Sequence, residues 1–430
     1  MSLGLRVRLS IMMFLQYYIW GIWLPILGLH LGSKAVGLDQ YQIGWVYTVY
    51  GFGAILGPFI LGQLADRYIA TEKVMAGAHL VGGCLLIATA YATTFWPIFL
   101  LLFAYCNLYM PTMGLSNSIT FRSVGEGNQD LFPGIRMWGT IGWIAAGLSF
   151  TAYLSSADRP ELKPLFDLVS TPTFRDCLRL SGVVSLIYGL YCFTLPHTPP
   201  TRVEHDTVKV KKSAVLESLE LMKVRSFAVL VVVSGLIGIM LAFYFACEGI
   251  FLNAIGVPEK QVSSFMTLGQ VGEWLVIGLV PLAVHRFGVK NTMIIGAGAW
   301  ALRFGLSAIG QPQWLMIATI GLHGFAFGFF FVVAQMYVDR AAGPDIKASA
   351  QNLLIFIIYG LGTIVGSVLT GYVRNYFSVV ENGKVISENW TGIWAGPFVL
   401  TLVCIAIFAL MFRDTAITKK TVVEGDPLLV

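Results

Sequence analysis

The segment Gly62-Gln63-Leu64-Ala65-Asp66-Arg67 ends an apolar run over residues 41–64, and a short basic turn follows it. An apolar run of this length can cross the roughly 30 Å hydrocarbon core of a bilayer as a helix. A second apolar run, over 261–284, ends in the same way, with Arg286 at the position that corresponds to Arg67. This recurrence indicates that the chain contains two similar halves.

Apolar runs of membrane length recur along the whole chain. Its 430 residues are 56% hydrophobic and only 12% charged, whereas soluble domains are about 25% charged. A water-soluble fold is therefore excluded, and the first run is expected to be retained because no cleavage signal follows it. We predict an all-α membrane protein with twelve transmembrane helices, at residues 9–30, 41–64, 75–94, 96–120, 134–154, 180–196, 226–253, 261–284, 292–310, 313–338, 350–373 and 392–412.

The positive charges predict the orientation of these helices. Lys and Arg concentrate in the set of loops that includes both ends of the chain, and such loops face the cytoplasm. The net charge of +5 therefore reflects topology and does not indicate nucleic-acid binding. The longest polar stretch follows the sixth predicted helix, so we predict four parts: a six-helix half at 1–197, a cytoplasmic linker at 198–224, a second six-helix half at 225–413 and a cytoplasmic tail at 414–430.

Ionisable side chains inside the predicted helices are the first functional candidates, because each costs about 2.5–3.5 kcal/mol to insert. They are Arg136, Glu248, Glu273, Arg303 and His323. Burial favours the protonated form of a carboxyl group, so Glu273 and Glu248 are candidates for coupling a solute to a proton. For Arg303 we favour a structural role.

One helical face combines Arg136, Thr140 and Trp143, which follow each other at i, i+4 and i+7. This face offers the several N–H donors of a guanidinium group, a hydroxyl group and an aromatic ring for stacking. Such a set suits a planar, oxygen-rich solute such as a nucleoside or a sugar. The alternative is that Arg136 extends to the membrane interface and that the other two residues only pack.

In each of two further pairs, the two residues lie on the same face of one predicted helix. Gln270 and Glu273, at i and i+3, can bind ribose hydroxyls, or they can form an interhelical hydrogen bond that only fixes packing. His323 and Phe327, at i and i+4, repeat the arrangement, although a backbone carbonyl can also satisfy this histidine. Gln16, in the first predicted helix, is a further candidate for the cavity.

The segment from Gly62 to Arg67 resembles the signature of the major facilitator superfamily. An Asp at this helix end can pair with an Arg or cap a neighbouring helix, which would latch one gate conformation. Asp66 and Arg67 are therefore candidates for a gate latch. The second copy is degraded, since His285 corresponds to Asp66.

A narrower resemblance, to the nucleoside:H+ symporter family of that superfamily, rests on Tyr109-Met110-Pro111-Thr112, Arg136 through Gly142, Gln270 with Glu273, and Ala348-Ser349-Ala350-Gln351. It implies the superfamily fold, with the nucleoside between two six-helix halves. Its substrate residues map onto Arg136, Thr140, Gln270 and Glu273, with Trp143 and Phe327 around the base and His323 where the family can have a tyrosine.

The chain departs from the family at two places. Gly328 replaces an acidic residue that is implicated in proton coupling, and Ala242 and Phe245 replace amide residues that contact nucleoside. We predict import of nucleosides across a bacterial cytoplasmic membrane by alternating access, with a proton as co-substrate. The alternatives are a nucleoside uniporter and a proton-coupled porter of another polar metabolite, such as a sugar.

The remaining predictions concern chemistry and partners. The sequence has no Ser/His/Asp, Cys/His or metal-ligand pattern that favours an enzyme. We therefore expect no catalytic residues, metal or cofactor. The expected partners are the nucleoside, the proton and the lipid bilayer, and the chain is expected to be a monomer.

Overall fold

The computed structural model describes residues 1–125, 131–168, 170–200, 221–341, 347–381 and 384–414. Most of the predicted linker and nearly all of the predicted tail lie outside these residues. Within them, the regular structure is helical except for one antiparallel two-stranded hairpin.

The N-terminal part of the chain forms nine α-helices: α1 Leu3–Trp23, α2 Leu27–Gly32, α3 Gln40–Gly57, α4 Gln63–Arg67, α5 Thr71–Tyr91, α6 Phe95–Val124, α7 Phe132–Ser155, α8 Lys163–Leu168 and α9 Asp176–Cys192. The described C-terminal part adds α10 Arg225–Ala254, α11 Glu259–Met266, α12 Leu268–Ile277, α13 Val280–Ile309, α14 Gln313–Thr319, α15 Leu322–Ala326, α16 Val333–Ala341, α17 Lys347–Ile355, α18 Thr363–Tyr376, β1 Ser378–Glu381, β2 Lys384–Glu388 and α19 Trp390–Met411.

Nine helical stretches of the described chain are long and apolar enough to cross a membrane. They are Leu3–Gly32, Gln40–Arg67, Thr71–Tyr91, Phe95–Val124, Arg225–Ala254, Val280–Ile309, Gln313–Arg340, Ala350–Tyr376 and Trp390–Met411. Each overlaps one predicted transmembrane helix, except Val280–Ile309, which overlaps the two predicted at 261–284 and 292–310. The predicted helices at 134–154 and 180–196 correspond to α7 and to α9, which has 17 residues.

The predicted helix at 261–284 is interrupted. Helix α11 ends at Met266, α12 ends at Ile277, and α13 begins at Val280. Pro281 lies in the first turn of α13, where a missing N–H costs nothing because the first turn has unpaired N–H groups anyway. Helix α13 is itself kinked at Gly288, whose φ of 75° suits a residue without a Cβ.

Wide π-helical turns join several of the helices. They cover Pro58–Gly62, Phe327–Val332 and Phe356–Gly362. Such turns are rare and often lie at functional positions. The second one contains both Phe327 and Gly328, two residues that the sequence analysis singled out.

The described residues form two compact units. The first consists of Met1–Val203, Phe245–Gln270 and Thr370–Tyr372, and the second of Glu204–Tyr244, Val271–Leu369 and Val373–Val430, in each case for the described residues within these ranges.

Small residues let helices of the first unit approach closely. A Cβ on Gly83 of α5 would lie 2.7 Å from the carbonyl oxygen of Gly182 on α9, and a Cβ on Gly182 would lie 2.8 Å from that of Gly83. A side chain at either position would therefore separate the two helices, which is the usual reason for small residues at helix contacts in membranes.

A buried carboxylate connects the start of α5 to the segment that follows α9. Glu72, in the first turn of α5, is 4% exposed. One of its oxygens lies 2.8 Å from His197 Nδ1, and the other accepts the backbone N–H of Thr198 at 3.0 Å. These contacts tie the segment that follows α9 to the start of α5.

Candidate functional site

The predicted face of α7 lies against α1. The guanidinium group of Arg136 lies over the ring of Tyr17, with Cζ 4.0 Å from the ring centroid. Thr140 is half-buried and Trp143 is buried. A Cβ on Gly139 would lie 2.6 Å from Tyr17 Cδ2 and 2.7 Å from Arg136 Nη1, so this glycine makes the room in which the two side chains meet.

Four aromatic rings meet next to this face, and we call them the Trp20 cluster. The Trp20 ring lies edge-to-face with Trp143 at 4.8 Å, stacks on Tyr50 at 5.3 Å and lies 6.5 Å from Tyr109. They come from α1, α3, α6 and α7. Trp20 Nε1 is buried without a hydrogen-bond acceptor among the described residues, and an unpaired buried donor of this kind marks a place for a ligand or a water.

Gln16 lies one turn before Trp20 and faces the interior of the first unit. It is 0% exposed, and its Nε2 donates to Thr112 Oγ1 at 2.8 Å while its Oε1 lies 3.2 Å from His79 Nε2. Tyr109 donates its hydroxyl proton to the backbone carbonyl oxygen of Gln16. The amide therefore serves an internal network in this conformation, and its contact with substrate stays a prediction.

Gln270 and Glu273 both lie on α12. Gln270 is 8% exposed and Glu273 is half-buried. Gln270 Oε1 has no donor among the described residues. Glu248, the second proton-coupling candidate, lies on α10 and is 1% exposed. The roles of these three residues stay predictions.

In the second unit, a stack of rings surrounds His323. The imidazole stacks on Tyr244 at 5.1 Å and on Phe327 at 5.9 Å, and it lies edge-on to Trp300 at 5.3 Å. On the α13 side, the Cζ of Arg303 lies 4.1 Å from the Tyr244 centroid, and Arg303 is 0% exposed. The predicted pair of His323 and Phe327 therefore does share one aromatic environment.

Gly328 lies in tight, apolar surroundings. It is buried, and a Cβ at this position would lie 3.3 Å from Val276 Cγ1 and 3.7 Å from Val280 Cγ2. The acidic side chain that the family resemblance places here would therefore have valines as its neighbours.

The predicted latch residues lie at the surface. Asp66 and Arg67 are exposed on the short helix α4, directly after the π-helical turn Pro58–Gly62. Their role in a gate stays a prediction.

Several residues of these clusters were not identified from the sequence. Tyr17, Tyr50 and Tyr244 are aromatic residues in a chain that is 13% aromatic, so nothing in the sequence distinguished them. His79 is different, because it is an ionisable residue inside a predicted helix and such residues mark function. That criterion could have found it.

Comparisons with known proteins agree with this architecture. The profile of the Nucleoside H+ symporter family matches residues 3–416. The protein YegT of Escherichia coli is 34% identical, with 97% of each chain covered. The nucleoside permease NupG of Escherichia coli is 30% identical, with 96% of each chain covered. A crystal structure of a mutant of the nucleoside transporter NupG superposes with a TM-score of 0.82 at 29% identity, over 95% of this chain and 100% of the other. Family profile, relatives and fold thus agree, and the chain belongs to the nucleoside H+ symporter family, with the fold of the major facilitator superfamily.

Proposed function

We propose that this protein imports nucleosides across the bacterial cytoplasmic membrane together with protons, by alternating access. The observation that carries the proposal is that Tyr17, whose ring lies under the Arg136 guanidinium group, lies 6.2 Å from Trp20 of the Trp20 cluster. These residues belong to a chain with helices long enough to span a membrane. Similar proteins are named as nucleoside permeases, and this supports the substrate class.

The two parts of this site suit the two parts of a nucleoside. Arg136 and Thr140 provide donors for ribose or carbonyl oxygens. The Trp20 cluster offers ring faces for the base, and such stacking contributes about 1–3 kcal/mol per base. The buried Nε1 of Trp20 adds a donor that the described residues do not use.

Polar groups on α12 and rings of the second unit would complete recognition. We propose that Gln270 and Glu273 bind ribose hydroxyls, because an amide and a carboxyl one turn apart can do so together. His323 and Phe327 would then enclose the base. The stacking of their rings at 5.9 Å supports this assignment.

The topology follows from the same proposal. Twelve transmembrane helices, in six-helix halves at 1–197 and 225–413 joined by a linker at 198–224, would place both termini in the cytoplasm. This requires α7, α9 and the interrupted helices α11 and α12 to cross the membrane in addition to the nine apolar stretches. We further propose that the chain functions as a monomer, with Asp66 and Arg67 latching one gate.

The driving force depends on a protonatable group. Glu273 and Glu248 are the candidates among the carboxyl groups, since Gly328 replaces the acidic residue of the family. Two alternatives remain to be distinguished: a uniporter would exchange nucleoside without accumulating it, and a sugar porter would prefer free sugars in competition with labelled uridine.

Uptake into proteoliposomes tests these proposals. The native protein and Glu273→Gln are compared with a panel of nucleosides at two pH values, with and without a protonophore. Glu259→Gln is the matched control, because Glu259 is an exposed carboxylate on α11. Accumulation that collapses with the protonophore supports symport, whereas exchange without accumulation contradicts it. If the pH dependence of Glu273→Gln is unchanged, Glu273 is not the coupling residue.

A further inference from the structure

A buried histidine links three helices of the first unit near the Trp20 cluster. His79 lies on α5 and is 1% exposed. Its Nε2 lies 3.2 Å from Gln16 Oε1 on α1, and its Nδ1 lies 3.1 Å from Ser185 Oγ on α9. Ser185 in turn donates its hydroxyl proton to the carbonyl oxygen of His79 at 2.9 Å. Both ring nitrogens are therefore engaged.

The donors and acceptors of this hydrogen-bond network fit a His79 ring with a proton on each nitrogen. Gln16 Oε1 can only accept, and the amide is oriented by the bond from its Nε2 to Thr112. The single proton of Ser185 already goes to a carbonyl. Both partners thus present acceptors, and only the imidazolium form of His79 carries an N–H on each nitrogen.

The neutral ring requires a different arrangement. It has one N–H and one lone pair, so one of the two contacts loses its proton. Either Ser185 turns its hydroxyl towards Nδ1 and no longer donates to the carbonyl oxygen of His79, or the Gln16 amide turns over. In the second case Nε2 of Gln16 faces His79 and Oε1 faces Thr112. One proton therefore decides between two arrangements of the network.

The surroundings of the ring would make protonation depend on water access. The titratable groups that face it are Tyr188 on α9, at 4.3 Å between ring centroids, and Tyr109 on α6, at 5.8 Å. No charged side chain among the described residues forms an ion pair with it. Burial then opposes the charged ring while the two oxygen acceptors stabilise it, so hydration of the network would shift the balance towards protonation.

The network is directly connected to the candidate substrate site. Gln16 precedes Trp20 by one turn of α1, and Tyr109, which donates to the Gln16 carbonyl, belongs to the Trp20 cluster. Tyr109 also lies edge-on to the His79 ring, at 5.8 Å between ring centroids, so a change of charge on His79 occurs next to the rings proposed to hold the base.

We propose that His79 is a proton-binding residue of the transport cycle. The lone pair of a ring nitrogen takes up a proton from water on one side of the membrane, and the N–H returns it to water on the other side. This inference rests on the proposed proton-coupled nucleoside import. It adds a protonatable side chain to the two candidate carboxyl groups, Glu273 and Glu248.

The experiment measures uridine counterflow, uridine accumulation and uridine-driven proton movement in proteoliposomes over a range of pH. The native protein is compared with His79→Gln and with His30→Gln, which replaces another buried imidazole, 2% exposed, that lies outside this network. We expect His79→Gln to keep counterflow and to lose proton movement and pH dependence. His30→Gln is expected to keep all three.

A second variant covers the case in which His79→Gln does not fold. Ser185→Ala keeps the imidazole and removes the acceptor of Nδ1, so the pH midpoint of uptake is expected to shift towards acid, because a hydrogen bond to the charged form is the stronger one. Suppose that the native protein couples uridine to protons and that the pH profile of uptake is unchanged in His79→Gln, or in Ser185→Ala if the first variant does not fold. This result overturns the role of His79 and leaves the proposed proton coupling in place. Absence of proton movement in the native protein overturns the proposed coupling itself.

Discussion

The guanidinium group of Arg136 lies over the phenol ring of Tyr17, with Cζ 4.0 Å from the ring centroid. Such a contact contributes about 0.5–2 kcal/mol, depending on how far it is removed from water. We expect it also to restrict the motion of the guanidinium group and hence of its N–H donors. We therefore predict that the half-buried Arg136 is a preorganised donor and not a mobile charge at the membrane surface.

Gly139 is the position that tests this preorganisation. An added Cβ would lie 2.6 Å from Tyr17 Cδ2 and 2.7 Å from Arg136 Nη1, so Gly139→Ala must displace the Tyr17 ring, the guanidinium group or both and thereby disturb their contact. We expect the KM for uridine to rise about three- to tenfold, from the loss of about 1 kcal/mol of orientation. Gly134→Ala, on the same helix, is the control, since its nearest neighbour would be Arg6 Nη2 at 3.7 Å. Equal KM values for the two variants would refute the role of the Arg136–Tyr17 contact.

Gly328 allows a test of the missing acidic residue. In Gly328→Asp the carboxyl group would lie among Val276 and Val280, where its ionised form is strongly disfavoured. Because Asp in the unfolded chain ionises near about pH 4, the folded variant loses stability as pH rises above that value. We expect its melting temperature, relative to that of Gly328→Ala, to be close at acidic pH and lower at alkaline pH. A difference that does not vary with pH would show that the carboxyl group is hydrated.

Glu72 is expected to stabilise the first unit. Glu72→Gln weakens two bonds to a charged acceptor, to His197 and to the N–H of Thr198. Hydrogen bonds to charged groups contribute about 1.5–3 kcal/mol each, so we expect a loss of roughly 1–3 kcal/mol, measured as a lower unfolding temperature of the purified protein. His197→Ala is the comparison, because the His197 side chain is 68% exposed and its removal leaves the N–H of Thr198 paired. A larger effect of His197→Ala would contradict this account.

The contact between α7 and α11 is expected to open during transport. Thr151 Oγ1 accepts the backbone N–H of Ser264 at 3.1 Å, which brings the two residues near the separation that a disulfide needs. We expect the double variant Thr151→Cys, Ser264→Cys to lose uridine uptake on oxidation and to recover it on reduction. Thr151→Cys alone should respond to neither treatment. Full uptake by the oxidised double variant would show that this contact stays closed throughout the cycle.

Much of the helical architecture could be predicted from the sequence, because membrane helices are encoded in contiguous apolar runs. The predicted helix at 313–338 lies within the observed stretch Gln313–Arg340. The predicted helix at 261–284 was wrong as a single helix, since Met266, Ile277 and Val280 mark separate ends and starts. Hydrophobicity continues through such breaks, and only the backbone reveals them.

The sequence suggests candidate site residues where these share one helix, but it does not suggest contacts between different helices. The roles of the candidates stay predictions. Arg136 and Thr140 were found by their spacing, whereas Tyr17 comes from a different helix and has no pattern that points to it. His79 and Ser185 are 106 residues apart, and no periodicity connects them. The contacts of the Gln16 amide with His79 and Thr112 were likewise not predicted, and its contact with substrate stays a prediction. A single sequence does not specify which side chains of different helices meet.

The edge-to-face contact of Trp20 and Trp143, at 4.8 Å between ring centroids, has an optical consequence. Two indoles held this close in a fixed, nearly perpendicular orientation couple their electronic transitions. The near-ultraviolet circular dichroism of the native chain therefore contains a contribution from the site itself. A base that slides between or against these rings would alter that contribution, so the protein carries a label-free reporter of occupancy.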